Sequence, residues 1–377
     1  MLALSRRDVL LAAAALPFAR RSARAEDFTG MIVRQSEPQN LEMPFASLSK
    51  WTVPTEQFYV RSHFPVPKLD PKEFKLVVEG HVENRLELTL EELKKLGEKS
   101  RPLTMECAGN GRVFLAPAVR GLQWAHGAVG NADWTGIPLG ALLERAKPKA
   151  GASDVVLAGA DRGAIAADPA TPGVIPYSRS LPLAKAKKDE TVLAWGMNGE
   201  PLTAAHGAPL RAIIGGWFGM ASVKWLNRIV VTDRPFQGYF QTMDYSYYVR
   251  PNGTDPETLP LTEMQPKAVI ARPGPGEVLP LGKPVAVFGA AWAGESKVAK
   301  VELSADGGKT WTHVKTDEPR PFCWVLWKHE WTPPAAGPAK LLVRCTDERG
   351  ATQPEKRDPD RRSYAINHLI PVDVLVK

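Results

Sequence analysis

Cys107 heads the run Cys107-Ala108-Gly109-Asn110-Gly111-Arg112, just after the short stretch Leu103-Thr104-Met105-Glu106. A thiolate is a soft, strongly donating ligand for a redox-active metal, and it loses its proton most readily where backbone N–H groups or cations face it. Gly109 and Gly111 would let the backbone approach a bulky ligand closely. Arg112 would bring a rigid positive fork to an anion reacting there. A buried structural cysteine in a loop is the competing reading, and Cys107 alone does not decide between them.

Three other runs carry chemistry-bearing residues. Phe58-Tyr59-Val60-Arg61-Ser62-His63 places Arg61 and His63 two apart, on one face of an extended strand, suited to a phosphate or oxyanion; a surface pair would look the same. His206-Gly207-Ala208-Pro209-Leu210-Arg211, continuing through Gly215-Gly216 to Ser222-Val223-Lys224-Trp225-Leu226, offers cations, a hydroxyl and glycine turns, the donor set a phosphate-bearing cofactor needs. Met243-Asp244-Tyr245-Ser246-Tyr247 puts aromatic hydroxyls inside a long loop, where a surface tyrosine cluster is the plain alternative.

The elements that position these runs form two textures. From about residue 70 to 235 the pattern predicts mixed α and β. Strands are expected at Phe74 to Val78, Val155 to Leu157, Thr191 to Ala194 and Val223 to Val231. A capping box at Thr89-Leu90-Glu91-Glu92 opens a short helix, and Pro138 precedes a second over Leu139 to Ala146. Long Gly/Pro-rich loops are expected at Gly159 to Pro182 and Gln237 to Pro260, and loops of that length are usually functional. A proline-rich shift at Pro251 to Pro284 precedes an all-β texture with strands at Val285 to Phe288, Ala299 to Ser304, Thr310 to Val314, Phe322 to Trp327 and Lys340 to Thr346. Asp306-Gly307-Gly308 is a hairpin turn. The evenly spaced strands suggest an immunoglobulin-like sandwich, with Trp292, Trp311, Trp324, Trp327 and Trp331 as core or interface residues. The fold class is therefore α+β: a mixed α/β domain over 26–262 followed by an all-β sandwich over 263–377.

The 377 residues are enough for more than one domain. The formal charge is +7, but +4 of it falls in residues 1–25, so the remainder is only +3 with no dense basic stripe, and nucleic-acid binding loses its support. Residues 1–25 themselves read as a twin-arginine export signal: Ser5-Arg6-Arg7-Asp8, an apolar run to Phe18, and Ala23-Arg24-Ala25 as a cleavage site. That run is too short to span a bilayer, which takes ~20 residues, and no later segment reads as transmembrane. The expected location is the periplasm, where three cysteines do not make a disulfide framework; Cys323 and Cys345 could stay single or pair. No C-x-x-C-H or C-x-x-C is present, so no c-type haem or usual zinc or iron–sulfur site is expected on this chain. No G-x-G-x-x-G follows a strand, which leaves a Rossmann dinucleotide site unsupported.

Taken together, the C-A-G-N-x-R run and the H-G-x-P-x-R…S-V-K-W-L run resemble the sulfite oxidase family of molybdopterin enzymes, in particular its bacterial members without a fused haem domain. The resemblance spans about residues 38 to 377. It implies a molybdenum–molybdopterin cofactor with Cys107 as the protein's metal ligand. Arg61, Arg112, Trp124 and Tyr245 match the family's substrate-anion pocket; Tyr59, Arg61, His63, Asp161, His206, Arg211, Ser222 and Lys224 match the segments that hold the pterin and its phosphate. It further implies oxidation of sulfite to sulfate, electrons leaving singly to an external acceptor such as a c-type cytochrome, and a homodimer formed through the C-terminal domain. An S-oxide reductase of the same cofactor class and a non-catalytic exported anion-binding protein are the alternatives. Two positions depart from the pattern: Gly111 stands where many relatives have a basic residue, and Asn367-His368-Leu369 where many have a further arginine.

Overall fold

The computed structural model describes residues 28–253 and 255–377; the expected export signal at 1–25 lies outside them. The N-terminal module is built on two five-stranded sheets. One orders Glu200–Pro201, Thr191–Met197, Val129–Pro138 and Lys99–Glu106, with Arg211–Ile214 also pairing to Thr191–Met197. The other orders Leu86–Thr89, Lys75–Gly80, Leu226–Thr232, Asp154–Gly163 and Ile175–Pro182, and only its Lys75–Gly80/Leu226–Thr232 pair is parallel.

Both expected helices form. Thr89 Oγ1 accepts from the Glu92 N–H at 3.2 Å and Glu92 Oε2 accepts from the Thr89 N–H at 2.8 Å, closing the capping box. In Leu139–Ala146 the buried Leu139, Leu142, Leu143 and Ala146 recur at helical spacing along one face. A mixed α/β module nevertheless overstates the helix. The α-helices among the described residues have five, eight and four residues, and the module is β-rich.

The two expected loops are largely hairpins. Asp154–Gly163 pairs with Ile175–Pro182, which leaves residues 164–174 as the connection. Residues 237–260 hold a π-helical turn at Phe240–Asp244 and a hairpin of Ser246–Val249 with Glu257–Pro260. Proline and glycine masked these strands because pairing partners, not local propensity, hold them. The strand expected from Val223 begins only at Leu226, since Trp225 takes φ +50°, outside the extended region. Phe322 at φ +61° likewise delays the next expected strand to Val325–Trp331, and Thr310 to Val314 yields only Thr312–His313.

The C-terminal module is a pair of sheets sharing one core. Lys267–Arg272, Val285–Trp292, Val325–Trp331 and Lys315–Thr316 make one; Val278–Leu279, Val372–Val376, Gly337–Asp347, Val298–Ser304 and Thr312–His313 make the other. Val287, Val325 and Trp327 from the first meet Val301, Leu341, Val343 and Val374 from the second. Along Lys267–Arg272, Ala268 and Ile270 enter this core while Val269 and Ala271 join the large cluster of the N-terminal module. A strand buried on both faces needs apolar residues throughout, and here it welds the two modules. Cys107, Cys323 and Cys345 are all buried and unpaired.

Candidate active site

Strand Lys99–Glu106 ends one residue before Cys107 and aims it at a cavity floor. Leu103 and Met105 are buried in the core, while Thr104 donates to Asn131 Oδ1 and accepts from the Trp324 N–H. The turn that follows is held at several points: the Cys107 N–H donates to Ala128 O at 2.8 Å, the Asn110 N–H donates to Cys107 O at 2.8 Å, and the Ala365 N–H donates to Ala108 O at 2.9 Å. Beneath it lies a buried ion pair. Lys267 Nζ donates to Glu106 Oε1 at 2.8 Å and to Asn110 O at 2.9 Å, and Trp292 Nε1 donates to Glu106 Oε2 at 2.8 Å.

The glycines here have a different purpose from the expected one. A Cβ on Gly109 would lie 2.4 Å from Arg112 Nη2, and one on Gly121 would lie 2.7 Å from Arg112 Nη1. The guanidinium therefore rests between two bare backbones, and the glycines admit an arginine rather than a ligand. Gly111 takes φ +97°, a conformation that a basic side chain there would enter only with strain.

Every candidate residue lines one of two adjoining cavities. The first, about 610 Å³ including its open mouth, is lined by Tyr59, Asp161, His206, Arg211, Ser222 and Lys224; the second, about 940 Å³, by Arg112 and Trp124; and Arg61, His63, Cys107 and Tyr245 line both. The extended strand expected for Arg61 and His63 is not one. Val60 makes a single bridge to Leu41, and the chain then runs irregularly. Arg61 is anchored by Nη1 on Ser62 O and Asn40 Oδ1.

On the pterin side most polar groups are already committed to positioning the walls. His206 is 1% exposed, its Nδ1 bonded to Thr203 Oγ1 and its Nε2 to Phe58 O. Burial, with Arg211 and Lys224 nearby, lowers its pKa to about 3, so it is neutral at any ordinary pH. Arg211 donates to His206 O at 2.8 Å and Ser222 O at 3.1 Å, and lies 5.1 Å over the Trp134 ring. Ser222 Oγ accepts from the Ile214 N–H. Lys224 Nζ donates to Ser62 Oγ at 2.9 Å and Ala205 O at 2.8 Å. These residues build the cavity wall, which sequence spacing alone could not distinguish from ligand contact.

Asp161 is the exception. Its Oδ1 is buried without a hydrogen-bond partner among the described residues, and burial, opposed by Lys224, raises its pKa to about 6. With the folded pKa above the unfolded one, stability is full below about pH 4 and falls as pH rises through 6. Asp161→Asn is therefore expected to raise the Tm of cofactor-free protein at pH 7.5 and to leave it unchanged at pH 4. Equal shifts at both pH values would contradict this.

On the anion side Arg112, 5% exposed, donates from Nε to Ser363 O at 3.1 Å and from Nη1 to Leu122 O at 2.8 Å; Nη2 has no protein acceptor among the described residues. Trp124 is fully buried and borders the same cavity. Tyr245 follows the π-helical turn, a local widening common at functional sites. Its hydroxyl is 2.7 Å from His63 Nε2. Burial, with Arg61 and Lys224 adding to it, lowers the His63 pKa well below the usual range, so the ring is neutral.

Several participants gave no signal in the sequence. Arg179, fully buried, donates to Phe240 O and to Leu261 O at 2.7 Å, fixing the turn that carries Tyr245. Arg362, from the C-terminal module, lines the second cavity and donates to Ser246 Oγ at 2.6 Å; Tyr364 lies beneath Arg112 at 5.3 Å and donates to Asp244 Oδ1. Arg120 stands on the rim. Arg120 and Arg362 supply cations that Asn367-His368-Leu369 lacks.

Cys107 departs from the simple thiolate expectation. Burial raises its pKa, although Arg61, the Gly109 N–H and Arg112 oppose the shift. The free thiol is thus protonated, and a metal bound there would displace the proton. No group of three or more His, Cys, Asp or Glu side chains among the described residues could hold a metal ion unaided. A metal on this single soft donor must arrive with its other ligands attached. An organic carrier bearing its own metal ligands fits the adjoining cavity, the unpartnered Asp161 oxygen and the cations that border it.

Fold and site together define a protein suited to hold a metal-bearing cofactor beside an anion pocket. The family described as oxidoreductase molybdopterin binding domain matches residues 63–240, and that described as Mo-co oxidoreductase dimerisation domain matches residues 259–367. Sulfite oxidase of Gallus gallus is 32% identical over 88% of this chain and 74% of its own length. The mitochondrial sulfite oxidase of Drosophila melanogaster is 33% identical over 85% of this chain, which spans 58% of the fly protein. The crystal structure of the sulfane dehydrogenase SoxCD from Paracoccus pantotrophus superposes with a TM-score of 0.76 at 26% identity, covering 88% of this chain and 83% of that one. The chain belongs to the sulfite oxidase family of molybdopterin oxidoreductases.

Proposed function

We propose that this chain is a molybdenum-dependent sulfite dehydrogenase, oxidising sulfite to sulfate and releasing electrons singly to an external acceptor such as a c-type cytochrome. One observation carries the reading: Cys107 lies on a floor common to the cavity bordered by Tyr59, Asp161, Ser222 and Lys224 and to a second cavity bearing Arg61, Arg112, Trp124 and Tyr245. Bound through Cys107, the molybdenum–molybdopterin group supplies two-electron oxidation of the sulfur lone pair. Tyr59, Asp161, Ser222 and Lys224 border the space for the pterin, while His206 and Arg211 hold that border in shape.

The remaining work belongs to the chain. Arg61 and Arg112 bring rigid guanidinium forks that orient the oxyanion. His63 is neutral; with its proton on Nε2 it donates to Tyr245 Oη, leaving the tyrosine hydrogen for a substrate oxygen. Tyr245 is 4% exposed and Trp124 fully buried, so water is excluded from one side of the anion. Arg112→Gln is expected to raise KM and lower kcat, reducing kcat/KM about 10–100-fold, the size of one lost charge-assisted contact of ~1.5–3 kcal/mol. Unchanged steady-state kinetics would place Arg112 outside the pocket.

The reading includes a homodimer through an immunoglobulin-like C-terminal domain, roughly residues 263–377, and periplasmic export by the twin-arginine segment. The match to a dimerisation domain supports the first of these, and Arg6-Arg7 supports the second. Among the described residues no helix is long and apolar enough to cross a membrane. Sulfite-dependent reduction of cytochrome c, measured beside S-oxide reduction on one molybdenum-loaded preparation, tests the proposal. Sulfite turnover without S-oxide turnover supports it; the reverse selects the reductase.

A further inference from the structure

The second cavity is layered in a way that sulfite alone does not use. Its floor is polar and buried: Cys107, Arg112 and Tyr245 are each under 8% exposed. The rest of the lining is mixed: the apolar or aromatic Leu122, Ile165, Tyr239 and Met243, the last 48% exposed, stand among Arg120, Asp168, Asp244 and Arg362. The space open to water in it, about 290 Å³, lies at the small end of pockets that bury organic ligands and exceeds what a four-atom anion fills. Sulfite on the floor leaves Leu122, Ile165, Tyr239 and Met243 wetted, whereas an apolar substituent on the same sulfur would cover them.

We propose that the site also oxidises organic sulfinates, R–SO2⁻, to sulfonates, an activity that rests on the sulfite chemistry above. A sulfinate keeps the features the floor recognises: a sulfur lone pair and two oxygens set for a guanidinium fork. It replaces the third oxygen by a group that belongs against Leu122, Ile165, Tyr239 and Met243. The reaction balances as R–SO2⁻ + H2O → R–SO3⁻ + 2H⁺ + 2e⁻. One S–O bond forms, both O–H bonds of a water break, the protons go to solvent, and the electrons reduce two equivalents of a one-electron acceptor such as ferricyanide.

The molybdenum-loaded protein is assayed with sulfite, methanesulfinate and benzenesulfinate against ferricyanide, with sulfonate quantified by chromatography. Benzenesulfinate is expected within about tenfold of sulfite in kcat/KM and about tenfold above methanesulfinate, the discrimination an apolar contact provides. Ile165→Ser is expected to lower the benzenesulfinate-to-sulfite ratio about tenfold, and Met243→Ser gives the same test should that variant fail to fold. Calorimetry adds a readout free of turnover: benzenesulfonate should bind the loaded protein about tenfold tighter than methanesulfonate. Sulfite oxidation with inert sulfinates and equal sulfonate affinities overturns the inference and spares the sulfite reading. Inert sulfite and inert sulfinates with molybdenum in place overturn both.

Discussion

Cys107→Ser is expected to give a folded chain without sulfite turnover. The thiol packs at the edge of the core and faces the Gly109 N–H, but the turn itself is held by backbone bonds with Ala128, Asn110 and Ala365 and by Lys267. Its replacement by a hydroxyl of similar shape should change stability by less than about 1 kcal/mol. The chemistry is another matter, because an alcohol is a hard and weakly donating substitute for a thiolate toward a redox metal. Loss of activity should exceed about a thousandfold, or ~4 kcal/mol of barrier. Steady-state assays beside urea denaturation check both halves. Near-normal turnover would refute the ligand assignment, and a collapse of stability would return Cys107 to a structural role.

Lys267→Met should produce the largest loss of stability. Lys267 and Glu106 are each 3% exposed at the side chain and 2.8 Å apart, so removing the lysine strands a buried carboxylate. Breaking such a pair costs about 3–5 kcal/mol, whereas removing both charges costs far less. The double variant Glu106→Gln with Lys267→Met should therefore recover part of the loss, which a double-mutant cycle in urea measures directly. Because Lys267 also holds Asn110 O, the single variant should retain less molybdenum as well. A stability loss under about 1 kcal/mol would show that the pair does not clamp the Cys107 turn.

This clamp also shows where sequence reading reaches its limit. Glu106 and Lys267 are 161 residues apart, and neither has a local pattern that announces the other. The same holds for Arg179, which positions the Tyr245 turn, and for Arg362 and Tyr364, which reach the anion pocket from the C-terminal module. What was legible was local: the capping box at Thr89, the amphipathic helix Leu139–Ala146, the β texture beyond Val285, and runs of chemistry-bearing residues dense enough to name the family. Strands such as Ile175–Pro182 and Ser246–Val249 were hidden because their proline- and glycine-rich surroundings read as loop, while their pairing partners decide the outcome. Gly109 was legible as a close-approach position, but the group it admits together with Gly121, the Arg112 guanidinium, became evident only in three dimensions.

The central claim is that the Cys107 sulfur binds the molybdenum of a pterin cofactor beside the arginine pocket. X-ray absorption at the molybdenum edge tests it most directly on wild-type and Cys107→Ser proteins purified with metal. The account predicts about one molybdenum per wild-type chain and one fewer sulfur neighbour in the variant than in the wild type. A wild-type protein without molybdenum, or a sulfur shell identical in the two proteins, would contradict it.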